Sequence, residues 1–259
     1  MSDSQWTWRV AWVVCLALLW LTWSGGLEAP FVYDDRVEIF PLQGRSLGDL
    51  RGWEDYNPSR PLVVLSYLFD FKLSDGELDA RVFHLSSWWM HVFAVGAALF
   101  MAESLGRLSG RPGAGRCGAI AVLLWGIHPM VSESVLYISA RSELLCGGFS
   151  FLSLGAWATA LRVEADQQEG LERAWPWRVA SIIACIGAIA SKETGMMTPL
   201  GLAMMELGMG GRREVVWWRR VRWHYWAPLL ALLLLGTGFR LGRILNAGPD
   251  VPQTGLWAG

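Results

Sequence analysis

The stretch Val179–Met205 reads VASIIACIGAIASKETGMMTPLGLAMM, two apolar runs parted by Lys192 and Glu193. A membrane-spanning helix needs about 20 mostly apolar residues, with roughly 17 to 25 tolerated, and neither run reaches that alone. Two readings are open. The runs are halves of one helix that buries a Lys–Glu pair, or they are two shorter helices that meet at one membrane face. The topology of the whole chain turns on this choice, and arginine decides it.

Stretches free of Asp, Glu, Lys and Arg are Val10–Leu27, Val82–Ala102, Cys117–Ser132, Leu144–Leu161, Val179–Ser191, Thr194–Met205 and Trp223–Phe239. The first, second, fourth and seventh reach spanning length, and the third is slightly short. Arg107, Arg111 and Arg116 lie between the second and third runs. Arg212, Arg213, Arg219, Arg220 and Arg222 precede the seventh. The positive-inside rule puts both arginine loops in the cytoplasm. Seven segments counted from a cytoplasmic N-terminus achieve this, whereas fusing the fifth and sixth runs would move the five-arginine loop outside. The sequence therefore predicts an all-α, polytopic membrane protein with about seven transmembrane helices, arranged as a single membrane domain over residues 1–259.

Composition agrees. Of 259 residues, 53% are hydrophobic and 17% charged, where an ordinary soluble domain is about 25% charged. Mean hydropathy is +0.31. The apolar excess excludes intrinsic disorder. A sequence pI near 6.4 supplies no basic field for nucleic acid. Several of the 17 Trp flank the apolar runs, including Trp20, Trp23, Trp175, Trp177, Trp223 and Trp226, as interfacial indoles do. Residues 1–27 lack both a basic leader region and a small-residue cleavage site, so they read as a retained span and not as a signal peptide. Cys15, Cys117, Cys146 and Cys185 have no ligand-like spacing and read as core thiols.

The outer face then receives a long first loop (28–81), a turn at 128–143 and the turn at Lys192–Glu193. The first loop carries eleven acids against six basic residues. Within it, residues 62–73 are apolar, follow Pro61 and are too short to span, which predicts a helix lying on the surface. Asp34 and Asp35, Arg60, His128, Ser139–Glu143 and Ser191–Glu193 all fall on this face. Ionisable groups gathered at one membrane level suggest a functional site. Plainer readings stand beside that one. Adjacent acids can be a solvated loop, and Lys192–Glu193 can be a polar hairpin cap. His84 and His91, seven apart on one helical face, read better as buried hydrogen-bonding histidines than as metal ligands.

The segments Phe31-Val-Tyr-Asp-Asp35, Asn57-Pro58-Ser59-Arg60-Pro61-Leu62, His84 with His91, His128-Pro129 with Glu133, Ser139-Ala-Arg-Ser-Glu143 and Ser191-Lys-Glu193 occur in an order that resembles one family. It is the membrane region of the transmembrane and tetratricopeptide-repeat O-mannosyltransferases and their bacterial relatives, glycosyltransferases of the GT-C fold. The likeness covers roughly residues 28–200. It implies a seven-helix module with a large first external loop, a polyprenyl-phosphate-linked, mannose-like sugar donor, and an acceptor hydroxyl on a protein or glycan. Two departures are visible. The family continues into further membrane helices and a tetratricopeptide array, which are expected to be absent before Gly259. Trp88 stands where relatives often carry a small or amide residue.

Under that resemblance Asp34 or Asp35 is the general base for the acceptor hydroxyl, since adjacent carboxylates tend to keep one proton acceptor poised. Arg60, His128, Arg141 and Lys192 are the candidates for the donor phosphate, where negative charge gathers on departure. Glu133, Glu143, Glu193, His84 and His91 are supporting residues. No phosphate-cradling glycine motif appears, so a nucleotide-sugar donor has no obvious seat, whereas a lipid-linked donor is held by the bilayer. No metal ligand set and no cofactor are assigned, and a divalent metal stays open. The expected function is an inverting glycosyltransferase in the bacterial inner or plasma membrane, or in the ER membrane of a eukaryote. Its expected partners are the lipid-linked sugar, the acceptor and membrane lipid. A non-catalytic or truncated membrane module acting as a partner subunit is the alternative. A transporter component fits less well, because its charges should lie at mid-membrane within paired broken helices.

Overall fold

The computed structural model describes residues 3–45, 59–165, 170–209 and 238, with side chains described for 13–45, 59–165, 172–208 and 238. The chain divides into two compact units, 1–212 and 213–259. The helices numbered below lie in the first. They are α1 (Asp3–Trp23), the single turn α2 (Asp35–Glu38), α3 (Pro61–Leu73), α4 (Ala80–Ser109), α5 (Ala114–Gly126), the short α6 (Ser132–Leu136), α7 (Arg141–Ala165), α8 (Gly170–Ser191) and α9 (Thr198–Met209). No strand occurs among the described residues.

Three helical stretches are long and apolar enough to cross a membrane: Ala80–Ser109, Ile138–Ala165 and Glu172–Ser191. The pair Ala114–Gly126 and Pro129–Leu136 adds a fourth if its 61° bend is counted within one span, and Val13–Gly26 is a shorter apolar helix. The bend has a local cause. Pro129 lacks an N–H and disfavours helical geometry at the residue before it, and His128 is extended at φ −73°, ψ 135°. Apart from residue 238, the seventh apolar run lies outside the described residues, as does the arginine loop 210–222, so the three or four spans are those of the described part alone.

The hairpin at Lys192–Glu193 is present. Lys192 leaves the helix at φ −157°, ψ 156°, and the chain reverses. Side-chain bonds give the directions. Ser153 meets Ser181 while Lys192 meets Glu143, so α8 runs antiparallel to α7. The α9 region runs parallel to α7, because Cys146 meets Thr194, Ser150 meets Thr198 at 2.8 Å, and Trp157 donates to Glu206 at 2.9 Å. Lys192 and Glu193 therefore sit at the end of the bundle where α7 begins.

Close helix contact depends on small residues, as it does wherever helices pack without a water-driven force between them. A Cβ at Gly155 would lie 2.7 Å from the Phe100 ring, and one at Gly106 would lie 2.5 Å from the backbone of Gly115. At the far end of α7, buried Arg178 bridges Glu164 and Glu206 at 3.0 and 3.1 Å and stacks 3.8 Å above the Trp157 ring.

Helix α3 starts at Pro61, as the sequence predicts, yet it does more than lie on the surface. Val63, Val64, Tyr67, Leu68, Asp70 and Phe71 are buried, an i, i+3/i+4 stripe that includes an acid. The acid is compensated from α7. Of the cysteines, Cys15, Cys146 and Cys185 are buried, but Cys117 is exposed on α5. It is not a core thiol.

Candidate active site

The chain leaves α1, places Ala29 against α4, and turns at Tyr33, whose φ of 45° is unusual for a bulky residue. Asp34 and Asp35 follow and part company. Asp35 is 1% exposed. Its Oδ1 accepts from the N–H and the hydroxyl of Ser139 at 2.8 and 2.6 Å, and its Oδ2 accepts from the N–H of Val32 at 2.9 Å. These bonds tie the first loop to the start of α7 and occupy both carboxylate oxygens of Asp35. Asp34 is exposed, and its backbone N–H donates to the Tyr137 hydroxyl at 3.0 Å. Its carboxylate stays exposed, within hydrogen-bonding reach of the same Tyr137 hydroxyl. Burial and the neighbouring acids push the Tyr137 hydroxyl above its ordinary pKa, so it stays protonated.

Arg60, just before α3, reaches across the bundle end. Its Nε and Nη2 both donate to Glu193 Oε2, at 3.2 and 3.1 Å, and Nε also reaches Oε1 at 3.4 Å. Its Nη1 lies 3.9 Å from Glu38. Lys192 pairs with Glu143. Adjacent residues of one turn thus engage α7 and the first loop with opposite charges. Glu38 is half-buried and also accepts from the Tyr67 hydroxyl at 3.4 Å. Burial raises its pKa above its ordinary value, with Arg60 pulling it back.

Arg141 stands apart from this group. It is 0% exposed and pairs with Asp70, also 0% exposed, at 2.6 Å. It donates to the Phe83 carbonyl at 2.9 Å and lies 4.6 Å from the Tyr67 ring centre. The geometry is that of an anchor for α3, closed to a phosphate in this conformation. The Asp70 carboxyl is pushed up by burial, and Arg141 and Ser86 draw it back. His84 and His91 are buried in α4. Their Nε2 atoms donate to the carbonyls of Ala29 and Gly126 at 3.0 and 2.8 Å, and neither Nδ1 has a hydrogen-bond partner among the described residues. Each tethers α4 to a neighbouring segment. His128 and Glu133 are exposed on the bent segment, and His128 Nδ1 accepts from the Met130 N–H at 3.2 Å.

Of the candidates, Asp34, Arg60, Lys192, Glu143 and Glu193 gather on one accessible end of the bundle, with His128 and Glu133 on the adjoining bend. Asp35, Arg141, His84 and His91 lie beneath as sealed contacts. Among the described residues no three His, Cys, Asp or Glu side chains converge in a way that could hold a metal ion. A cavity of about 630 Å³ opens elsewhere, between α3, α4 and α7, walled by Phe69, Leu73, Trp89, Phe93 and Phe149, and none of the candidates lines it. Glu38 and Tyr67 were not singled out from the sequence. The i, i+4 spacing of Asp34 and Glu38 in an acidic turn was the available signal for the first. For Tyr67 there was none.

No family model matches the chain, and no solved structure matches it. Among curated proteins, protein O-mannosyl-transferase TMTC4 of Homo sapiens is 30% identical over 216 residues, which cover 73% of this chain and 28% of that protein. The Mus musculus protein of the same name is 28% identical over 220 residues, covering 76% of this chain and 29% of the relative. Protein O-mannosyl-transferase Tmtc1 of Drosophila melanogaster is 26% identical over 199 residues, covering 70% and 21%. The chain thus spans less than a third of the length of these relatives. Over 70% to 76% of its own length, it resembles the TMTC-type protein O-mannosyl-transferases of the GT-C glycosyltransferase group.

Proposed function

We propose that the chain is a multi-pass membrane glycosyltransferase module, with its N-terminus in the cytoplasm and its site on the outer face. It moves mannose or a similar sugar from a polyprenyl-phosphate carrier to a protein hydroxyl. The names of the relatives support the sugar and the class of acceptor. The observation that carries the mechanism is the contrast between the two acids. Asp34 is exposed, and its carboxylate is open to an incoming hydroxyl, with the Tyr137 hydroxyl beside it. Asp35 is saturated with hydrogen bonds. Asp34 is accordingly the general base and Asp35 the residue that holds its turn.

In this reading the acceptor oxygen attacks the anomeric carbon, and the bond from that carbon to the phosphate oxygen breaks with inversion. The acceptor proton passes to Asp34, and the polyprenyl phosphate leaves with the charge. Arg60 and Lys192 oppose that charge. Both are engaged by carboxylates, so the phosphate takes the place of Glu193 and Glu143 at them. His128 and Glu133 flank the acceptor side. Arg141, His84 and His91 keep the platform rigid.

The test is transfer of radiolabelled mannose from a short-chain polyprenyl phosphate mannose to a serine- and threonine-rich peptide by the membrane-embedded full chain. Asp34→Asn is expected to lower kcat by about 10² to 10⁴, the usual worth of a positioned base. An Asp34→Asn protein as active as the wild type would overturn the assignment.

A further inference from the structure

Glu38 has no place in the reaction as described, yet it is joined to both halves of the proposed site. Asp34 and Glu38 are one helical turn apart, with the Glu38 N–H donating to the Asp34 carbonyl at 2.8 Å, so their side chains leave the same face of α2. On that face Glu38 lies 3.9 Å from Arg60 Nη1, the guanidinium edge not used by Glu193. Its other oxygen is held by Tyr67, a buried residue of α3. The pair is neither sealed nor freely hydrated, with side chains 25% and 26% exposed.

We infer that Glu38 is a positioning residue, which holds the Arg60 guanidinium at a fixed place relative to Asp34 and so sets where the donor phosphate sits. The inference rests on the proposed function. Arg60 precedes α3, and its backbone, at φ −132°, ψ 57°, lies outside that helix. Its side chain is therefore fixed by its partners. Glu193 is one, and it is the partner the phosphate replaces. Glu38 is the one that stays, anchored by Tyr67 on the far side. Among the described residues that pair with Arg60, Glu38 is then the one left to orient the fork. A bidentate phosphate contact depends on that orientation in a way a point charge does not.

The experiment measures kcat and KM for polyprenyl phosphate mannose across pH, in the wild type, Glu38→Gln and Glu38→Asp. Glutamine keeps an acceptor for Tyr67 and removes the charge facing Arg60. Glu38→Gln is expected to raise the donor KM about threefold to fivefold, the scale of a partly exposed ion pair, with kcat within twofold. The acid limb of kcat/KM should flatten, because the wild type loses the Glu38 charge as pH falls and the variant has none to lose. Glu38→Asp is expected to restore part of the KM effect, and it carries the test if the glutamine protein does not accumulate in membranes. Unchanged KM and acid limb in both variants would overturn the inference, as would equal losses of kcat and donor affinity in both. A wild type that transfers no sugar and binds no polyprenyl phosphate overturns the proposed function itself, and the inference with it.

Discussion

Replacing Arg141 separates a structural role from a donor-binding one. Both partners of the Arg141–Asp70 pair are fully buried, 2.6 Å apart, and the guanidinium also bonds Ser66 and the Phe83 carbonyl. Arg141→Met leaves the Asp70 carboxylate in an apolar pocket between α3 and α4 with Ser86 as its remaining side-chain partner. Removing one member of a buried pair costs about 3–5 kcal/mol, because the surviving charge is uncompensated. For a chain of this size that corresponds to a fall of roughly 6–20 °C in melting temperature. The deficit has a defined pH dependence. The Asp70 carboxyl is already pushed up by burial, and without Arg141 it rises further, so the folded variant binds a proton more tightly than the unfolded chain. The stability recovered is fully present below the unfolded carboxylate pKa and is lost as pH rises through the folded one. The gap to wild type should therefore narrow in acid. In the double variant Asp70→Asn/Arg141→Met neither charge remains, and most of the loss should return. Thermal unfolding of detergent-purified proteins at several pH values reads all three. If Arg141→Met melted like the wild type while its donor KM rose tenfold, Arg141 would be a phosphate ligand, and the separation of sealed from accessible cations would fail.

Asp35→Asn should be a folding variant more than a catalytic one. It exchanges a carboxylate accepting three hydrogen bonds for an amide, a loss of about 1.5–3 kcal/mol for each charge-assisted bond that is not remade. Unfolding should show the loss, and kcat per folded molecule should fall far less than in Asp34→Asn. Gly195→Ala tests the hairpin. A Cβ there would collide with the backbone carbonyl of Ala188, which cannot move without breaking α8, so Lys192 and Glu193 should be displaced and transfer reduced by about tenfold or more. Wild-type activity in Gly195→Ala would show that the turn is more tolerant than its packing implies.

The hairpin at Lys192 was legible because charge bias and span length bear on topology directly, without reference to packing. The start of α3 was legible for a similar reason, since proline at a first helical position is a local preference. The bend at His128–Pro129 falls at the start of the turn expected over 128–143, because proline disfavours helix at the residue before it. What the sequence could not reveal is which polar residues are sealed. Asp34 and Asp35 are neighbours of one residue type, and their difference comes from Ser139, more than a hundred positions away. Asp70 and Arg60 both lie in the acidic first loop, yet one faces the interior because its position falls on the buried stripe of α3. Arg141 lies in a segment that looks functional as a whole, and a partner on another helix determines its burial.

That difference in burial has a consequence for the proposed chemistry. Arg60 and Lys192 are held by carboxylates that remain partly exposed, Glu193 at 40% and Glu143 at 48% of side-chain surface. Such pairs are worth about 1 kcal/mol or less, since a released carboxylate regains its hydration. An incoming phosphate therefore exchanges one anion for another at a cation that is never left bare. The charge-assisted bonds it gains, about 1.5–3 kcal/mol each, exceed what the departing carboxylate gives up. At Arg141 the same exchange would require Asp70 to leave a pocket with no path to water, or a phosphate to enter one. An arginine engaged by a carboxylate is thus available or closed to the donor according to whether that carboxylate can return to solvent, and in this bundle end Arg60 and Lys192 meet that condition while Arg141 does not.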